Sequence, residues 1–253
     1  MAHTNIRNRI FKIASIFFAL LAIAFLILCL PKVKKESKPG PIQGGESQNE
    51  AQTPTKPYKS PIDFKSLQKK NEDIYGWLEI PGTEISYPVL QHQEDDAFYL
   101  DHDDAGKYDV CGTLFTEHAY NKKDFSDPVV AIYGHHLKSG QMFGNLQQYY
   151  TDDFDRYNEL IIYTPEEEIH YQVFAAVSFS NRHILYYYNG FKDAVMMKEF
   201  LSDINSVRAI GSYVDKTVDV ATNDQLLVLS TCLQGDRTCR FLVVGKRIER
   251  AKQ

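Results

Sequence analysis

The chain of 253 residues is the size of one large domain or two small ones, and with 43% hydrophobic and 24% charged residues it is neither collagen-like, mucin-like nor wholly disordered. Its net charge of −5 hides a split: up to Lys59 there are 9 Lys and Arg against 3 Asp and Glu, and from Ser60 onward 19 against 30, a net −11. A body this acidic lacks the electrostatic footprint that holds phosphate backbones, which argues against nucleic acid as a partner.

The first feature along the chain is the uncharged run Ile13–Leu30, 18 residues long. As a helix it covers about 27 Å, close to the hydrocarbon thickness of a bilayer. It leads into Pro31 and Lys32 without a small-x-small cleavage site, so it reads as an uncleaved anchor following a short tail, residues 1–12. Basic residues flank it on both sides, so charge alone does not orient it. Residues 31–59, rich in Pro, Gly, Gln, Ser and Thr, hold too little apolar surface to offset their ordering entropy and read as a tether. A single domain is expected over residues 60–253, long enough for one packed core.

Pro61–Asp73 reads as a short helix with Phe64 and Leu67 on its apolar face. Eight strand-like segments follow: Gly76–Ile80, Ile85–Leu90, Gly112–Thr116, Val129–Gly134, Leu160–Thr164, His170–Ser180, Gln225–Thr231 and Arg240–Lys246. Two helices interrupt them, Met142–Tyr150 and Lys192–Ile204. The second carries Met197, Phe200, Leu201 and Ile204 at the spacing of one buried face. The pattern predicts a mainly β protein, a barrel or a sandwich, and a closed sheet would leave no exposed edges.

The four cysteines, Cys29, Cys111, Cys232 and Cys239, are too few and too irregular for a disulfide framework or a paired zinc site. Cys111, at a strand entry, reads as a small buried residue. Cys232 ends the apolar strand LLVLSTC, a rigid place from which to present a nucleophile. A thiol needs a cationic or proton-accepting neighbour to react well at neutral pH. Arg240 opens the next apolar strand eight residues later, where a guanidinium would steady a thiolate or an oxyanion. Arg237 is the competing arginine, placed in the intervening loop and so harder to hold rigid. Cys239 either pairs with Cys232 or points away from Arg240 as a passive neighbour, the reading favoured here. At another strand end, VVAIYGHH (Val129–His136), a histidine is suited to taking and returning a proton. Neighbours in a strand face opposite sides, so one of His135 and His136 enters a given site. Ser230 shares a face with Cys232, and Tyr133 with His135.

Taken together, NEDIYGWLEIPGTEISYPVLQ (Asn71–Gln91), GTLFTE (Gly112–Glu117), VVAIYGHHLKSGQMFGNLQQY (Val129–Tyr149), LLVLSTC and RFLVVGK resemble the sortases, and among them class B, over nearly the whole body. The resemblance implies a cysteine transpeptidase on a closed, mostly antiparallel eight-stranded barrel, with an N-terminal helix and a helix between the sixth and seventh strands. By residue matching, its nucleophile falls on Cys232, its histidine on His135 and its arginine on Arg240. Val228 stands where many members have threonine, away from the catalytic end. The family further implies cleavage of a sorting motif after threonine, of an asparagine-proline-x-threonine type, a thioester intermediate, hydrolysis where no acceptor amine is present, and transfer to a cell-wall precursor amine. It also orients the chain, with the N-terminus cytoplasmic and the body outside a Gram-positive-type cell membrane.

Candidate peptide contacts under this reading are Ser230, Tyr133, Thr231, Leu233 and, in the loop before the Lys192–Ile204 helix, Ile184, Leu185 and Tyr186. No cofactor and no metal are expected, because the acidic stretch HQEDDAFYLDHDDAG does not follow the EF-hand spacing and reads as a solvated loop. Two alternatives remain at this point: a pilin-polymerising sortase that joins subunits through a lysine, and a non-catalytic, membrane-tethered peptide-binding β-domain. A papain-like hydrolase is disfavoured, since there the cysteine precedes the histidine.

Overall fold

A computed structural model describes residues 58–249 with the exception of Gln234. The expected anchor at residues 13–30 and nearly all of the tether lie outside the described residues. Among the described residues no helix is long and apolar enough to cross a membrane.

Helix α1 (Phe64–Lys70) is shorter at both ends than its apolar pattern predicts. Asp63 caps it by accepting the Ser66 N–H, which sets the first turn later than Pro61. Strands β1 (Ile74–Glu79), β2 (Ser86–Leu90), β3 (Leu114–Phe115) and β4 (Val129–Tyr133) follow, then helix α2 (Leu146–Asp152) and strands β5 (Glu159–Tyr163) and β6 (Glu168–Ser180). After β6 come two helices, α3 (Ile184–Tyr187) and α4 (Ala194–Ser206), then a two-residue strand β7 (Tyr213–Val214), and finally β8 (Leu226–Leu233) and β9 (Asp236–Ile248). Each of the eight expected strands has its counterpart.

The strands run in the order β5-β1-β2-β3-β4-β8-β9-β6, and β6 pairs back onto β5, closing an eight-stranded barrel; β7 is an outer addition to β6. The β2–β3 and β4–β8 pairs are parallel and the others antiparallel. Closure satisfies the edges that an open sheet would leave unpaired.

Strand alternation divides the apolar side chains between two cores. In β8, Leu227 and Leu229 point into the barrel with Val130 and Ile132 of β4 and Phe241 and Val243 of β9. Leu226 and Val228, with Val129, Ala131, Leu242 and Val244, form the outer face, covered by α3 and α4. A strand buried on both faces reads as an unbroken apolar run, which is why LLVL lacks alternation. Helix α4 covers that outer face with Met197, Phe200, Leu201 and Ile204, the four residues of the predicted stripe, all buried. Asp193 caps it, accepting the N–H groups of Val195 and Met196, so the helix begins at Ala194 and not at Lys192. A third, smaller core packs Phe64 of α1 against Ile74, Leu90, Tyr99 and Phe115.

Candidate active site

The two-core arrangement determines where the sequence-predicted residues lie. Cys232 continues the outward series Leu226, Val228, Ser230 on β8, and it is the first exposed residue after six buried ones. On one side β9 runs antiparallel with Cys232 opposite Arg240. Directly opposed residues share a face, and the Arg240 guanidinium Nη1 donates to Cys232 Sγ at 2.7 Å. On the other side β4 runs parallel with Tyr133 opposite Ser230. The Gly134 N–H extends that ladder to the Ser230 carbonyl at 3.2 Å, so two residues beyond Tyr133 the chain delivers His135 at the level of Cys232. The cysteine strand is thus held between the strand that brings the arginine and the strand that leads to the histidine.

His135 is half-buried, and its Nε2 lies 2.7 Å from the Leu100 carbonyl oxygen. A carbonyl only accepts, so Nε2 carries the proton, and in the neutral ring Nδ1 is left as the basic nitrogen. The loop that supplies Leu100 is stiffened by Phe98, whose ring is stacked between His92 and His102 at centroid separations of 4.3 and 3.9 Å. His136 faces elsewhere: it bridges to Met142, its Nδ1 is buried without a partner, and burial lowers its pKa, favouring the neutral ring.

Several predicted peptide contacts take other roles. Ile184 and Leu185 are only 2% and 1% exposed and belong to the outer core. The HILYYY segment is not an open loop, because His183 caps a short helix that turns these two residues inward and leaves Tyr186 and Tyr187 outside, 74% and 49% exposed. Thr231 lies on the barrel-interior side of β8 and is buried, its hydroxyl without a hydrogen-bond partner, so its side chain faces away from Cys232. Leu233 packs on the interior core. Ser230 and Tyr133 do lie on the outer face, Ser230 covered and Tyr133 half-buried.

The cysteines and the second arginine also differ from expectation. Strand β9 begins at Asp236, so residue 237 is inside the strand and not in a loop. What singles out Arg240 is its register opposite Cys232. Cys111 is half-exposed, in a turn before β3, and the Asp109 carboxylate beside it raises its thiol pKa. The three cysteines among the described residues are free, and alternation puts Cys239 on the face opposite Arg240.

Sequence reasoning passed over two neighbours of the site, Glu117 and His183, joined at 2.7 Å. Glu117 ends the GTLFTE segment and His183 begins HILYYY, but neither segment shows by itself that they meet. Burial raises the Glu117 pKa, with His183 opposing. The Tyr133 ring lies 6.3 Å from that of His183; burial first, then the Glu117 carboxylate, holds its hydroxyl well above its ordinary value, while the Arg240 charge acts the other way. Tyr133 is therefore a protonated donor at neutral pH.

No group of three or more His, Cys, Asp and Glu side chains suited to a metal ion is found among the described residues. The acidic loop spends its carboxylates locally: Asp95 accepts from Ala97, Asp96 from His118, Asp103 from Ala105 and Lys107, and Asp104 pairs with Lys70.

The chain's residues 78–248 match the family model of the sortase domain. It is 30% identical to sortase B of Listeria monocytogenes over 170 residues, 67% of each chain, and 30% identical to sortase B of Staphylococcus aureus over 189 residues, 74% of this chain and 75% of that one. A solved Staphylococcus aureus sortase B–substrate complex superposes with a TM-score of 0.64 at 26% identity, covering 76% of this chain and 88% of that one. With a closed barrel of the same architecture and a match over most of its described length, the chain belongs to the sortase family of cysteine transpeptidases, among its class B members.

Proposed function

We propose that the chain is a membrane-anchored transpeptidase that cuts a sorting motif after threonine in exported proteins and joins them to a cell-wall precursor amine. The observation that carries this reading is the Arg240–Cys232 contact of 2.7 Å on the exposed end of two paired strands. Cys232 gives its proton to His135 Nδ1, and the thiolate attacks the carbonyl carbon after the threonine, forming a C–S bond. Negative charge on the carbonyl oxygen is met by the Arg240 guanidinium and by backbone N–H groups near Leu233. As the C–N bond breaks, His135 returns its proton to the departing amine, leaving a thioester. An incoming amine, deprotonated by His135, attacks that thioester and expels Cys232 with a new amide. Water in place of the amine gives hydrolysis. Residues 13–30 anchor the chain with its N-terminus inside and the barrel outside the membrane, and none of these steps calls for a cofactor.

The test is to incubate the full chain with a panel of quenched sorting-motif peptides, asparagine-proline-x-threonine sequences among them, with and without amine acceptors, beside Cys232→Ala. Cleavage after threonine that disappears in Cys232→Ala, with amide product only when acceptor is present, is expected. A folded protein that neither cleaves nor covalently captures any peptide would sink the reading and leave a binding-only β-domain. Transfer to a lysine side chain in preference to a wall-type amine would favour pilus assembly.

A further inference from the structure

The Glu117–His183 pair joins the connection that follows β3 to the segment that carries α3. Glu117 follows β3, on a connection that is rigidly mounted: its carbonyl accepts from the Asn121 N–H, and Asn121 is itself pinned to β4 through Val129 and Ala131. His183 opens the segment that carries α3. Its Nε2 donates to Glu117 Oε1 at 2.7 Å, and its Nδ1 accepts the Tyr186 N–H at 3.0 Å. Both ring nitrogens are thus committed, one to each segment. The ring also sits among Tyr120, Tyr133 and Tyr186, with centroids 5.3, 6.3 and 6.4 Å away. Glu117 Oε2 and the Tyr133 hydroxyl, an acceptor and a donor, are both buried outside good hydrogen-bond geometry yet close enough to act on each other's ionisation.

Helix α3 does not need this pair to stay attached, because Ile184 and Leu185 already bury it in the outer core. With Nδ1 accepting and Nε2 donating, the His183 ring is neutral, and a single hydrogen bond from it to a largely buried carboxylate adds only modest net stability, so its use here is to fix geometry more than to add stability. The geometry it fixes is the position of exposed Tyr186 relative to Tyr133, Arg240 and Cys232.

We propose that Glu117 and His183 are positioning residues that hold the α3 segment, with Tyr186, as one wall of the peptide site beside Cys232. The inference deepens the transpeptidase reading and rests on it. Two substitutions separate the contact from the helix cap. His183→Asn keeps a good capping acceptor but loses the donor that reaches Glu117. Glu117→Gln keeps an acceptor for His183, whereas Glu117→Ala removes it.

Peptide cleavage by the full chain is measured as KM and kcat separately, together with melting temperature and the rate at which iodoacetamide alkylates Cys232. His183→Asn and Glu117→Ala are expected to raise KM about tenfold, the effect of losing one good contact, with kcat and alkylation rate close to wild type, and Glu117→Gln is expected to restore KM most of the way. Unchanged KM in His183→Asn, or a loss confined to kcat, would overturn the inference even if the melting temperature falls. A wild-type protein that cleaves no peptide would overturn the transpeptidase reading and this inference together; a wild type that cleaves, with variants of unaltered KM, overturns the inference alone.

Discussion

Arg240 reaches Cys232 across one rung of an antiparallel ladder; its main chain is paired on both sides, to Cys232 and to Phe179, and its guanidinium donates to Cys232 Sγ. A lysine there would keep the charge but present a compact ammonium on a flexible stem in place of a planar fork. Under the proposed mechanism Arg240→Lys is expected to lower kcat by about 10²-fold, the usual cost of losing one oxyanion donor, with KM little changed; single-turnover thioester formation checks this, and a loss confined to KM would argue against the role. At this scale the strand ends were legible in the sequence, because an apolar run that stops at Ser-Thr-Cys or at Gly-His-His is visible without coordinates. The choice between Arg237 and Arg240 was reached by assuming a loop that is in fact strand, and only register settles which residue faces Cys232. Thr231 follows a simpler rule: adjacency in a strand puts neighbours on opposite faces, and the residue next to the cysteine is the one that points into the barrel.

The elements around the site explain why its residues hold their places. Gly134 joins β4 to His135 where Leu114 and Phe143 press against the backbone, and a methyl group added there would sit 2.4 Å from Leu114 Cδ2 and 2.7 Å from Phe143 Cδ2. Both neighbours are fully buried and have little room to yield. Gly134→Ala is therefore expected to displace the His135 segment from its contact with Leu100, lowering cleavage on the order of 10²-fold, as misplaced reactive groups do, while iodoacetamide still alkylates Cys232. Activity near wild type would show that His135 tolerates the shift. The α4 stripe was readable from its period of 3.6, and the buried strands from short apolar runs bounded by turn residues rather than from alternation. The segment His183–Tyr188 was not, since three consecutive tyrosines fit a loop or a helix equally well, and the deciding feature is a histidine ring acting as the cap. The two residues of β7 are too short to leave a pattern, and its pairing to Ala175 and Ala176 follows from the long excursion through α4.

For the molecule as a whole, the closed barrel and the α3–α4 layer are two apolar assemblies sharing one wall of strands, with the site at the top of that wall. Closure was legible as an expectation from eight strands and few helices, but the division of each strand between two cores required the register. Phe200 tests whether the two assemblies unfold as one. It is fully buried on α4 and meets Phe179, Tyr188 and Phe191 edge-on at 6.2, 5.2 and 5.4 Å, without contributing to the barrel interior. Phe200→Ala should cost about 3–5 kcal/mol. Because α3 and α4 can loosen without opening the ring of strands, that loss is expected to appear first as faster amide exchange in α3, α4 and their connection, with β4, β8 and β9 still protected. Peptide KM should rise with it, since Tyr186 belongs to the loosened layer, while alkylation of Cys232, which depends on the β8–β9 pair, should not change. Equal loss of protection in barrel and layer would mean that the outer core is part of a single cooperative unit, and that α3 cannot move on its own as peptide enters.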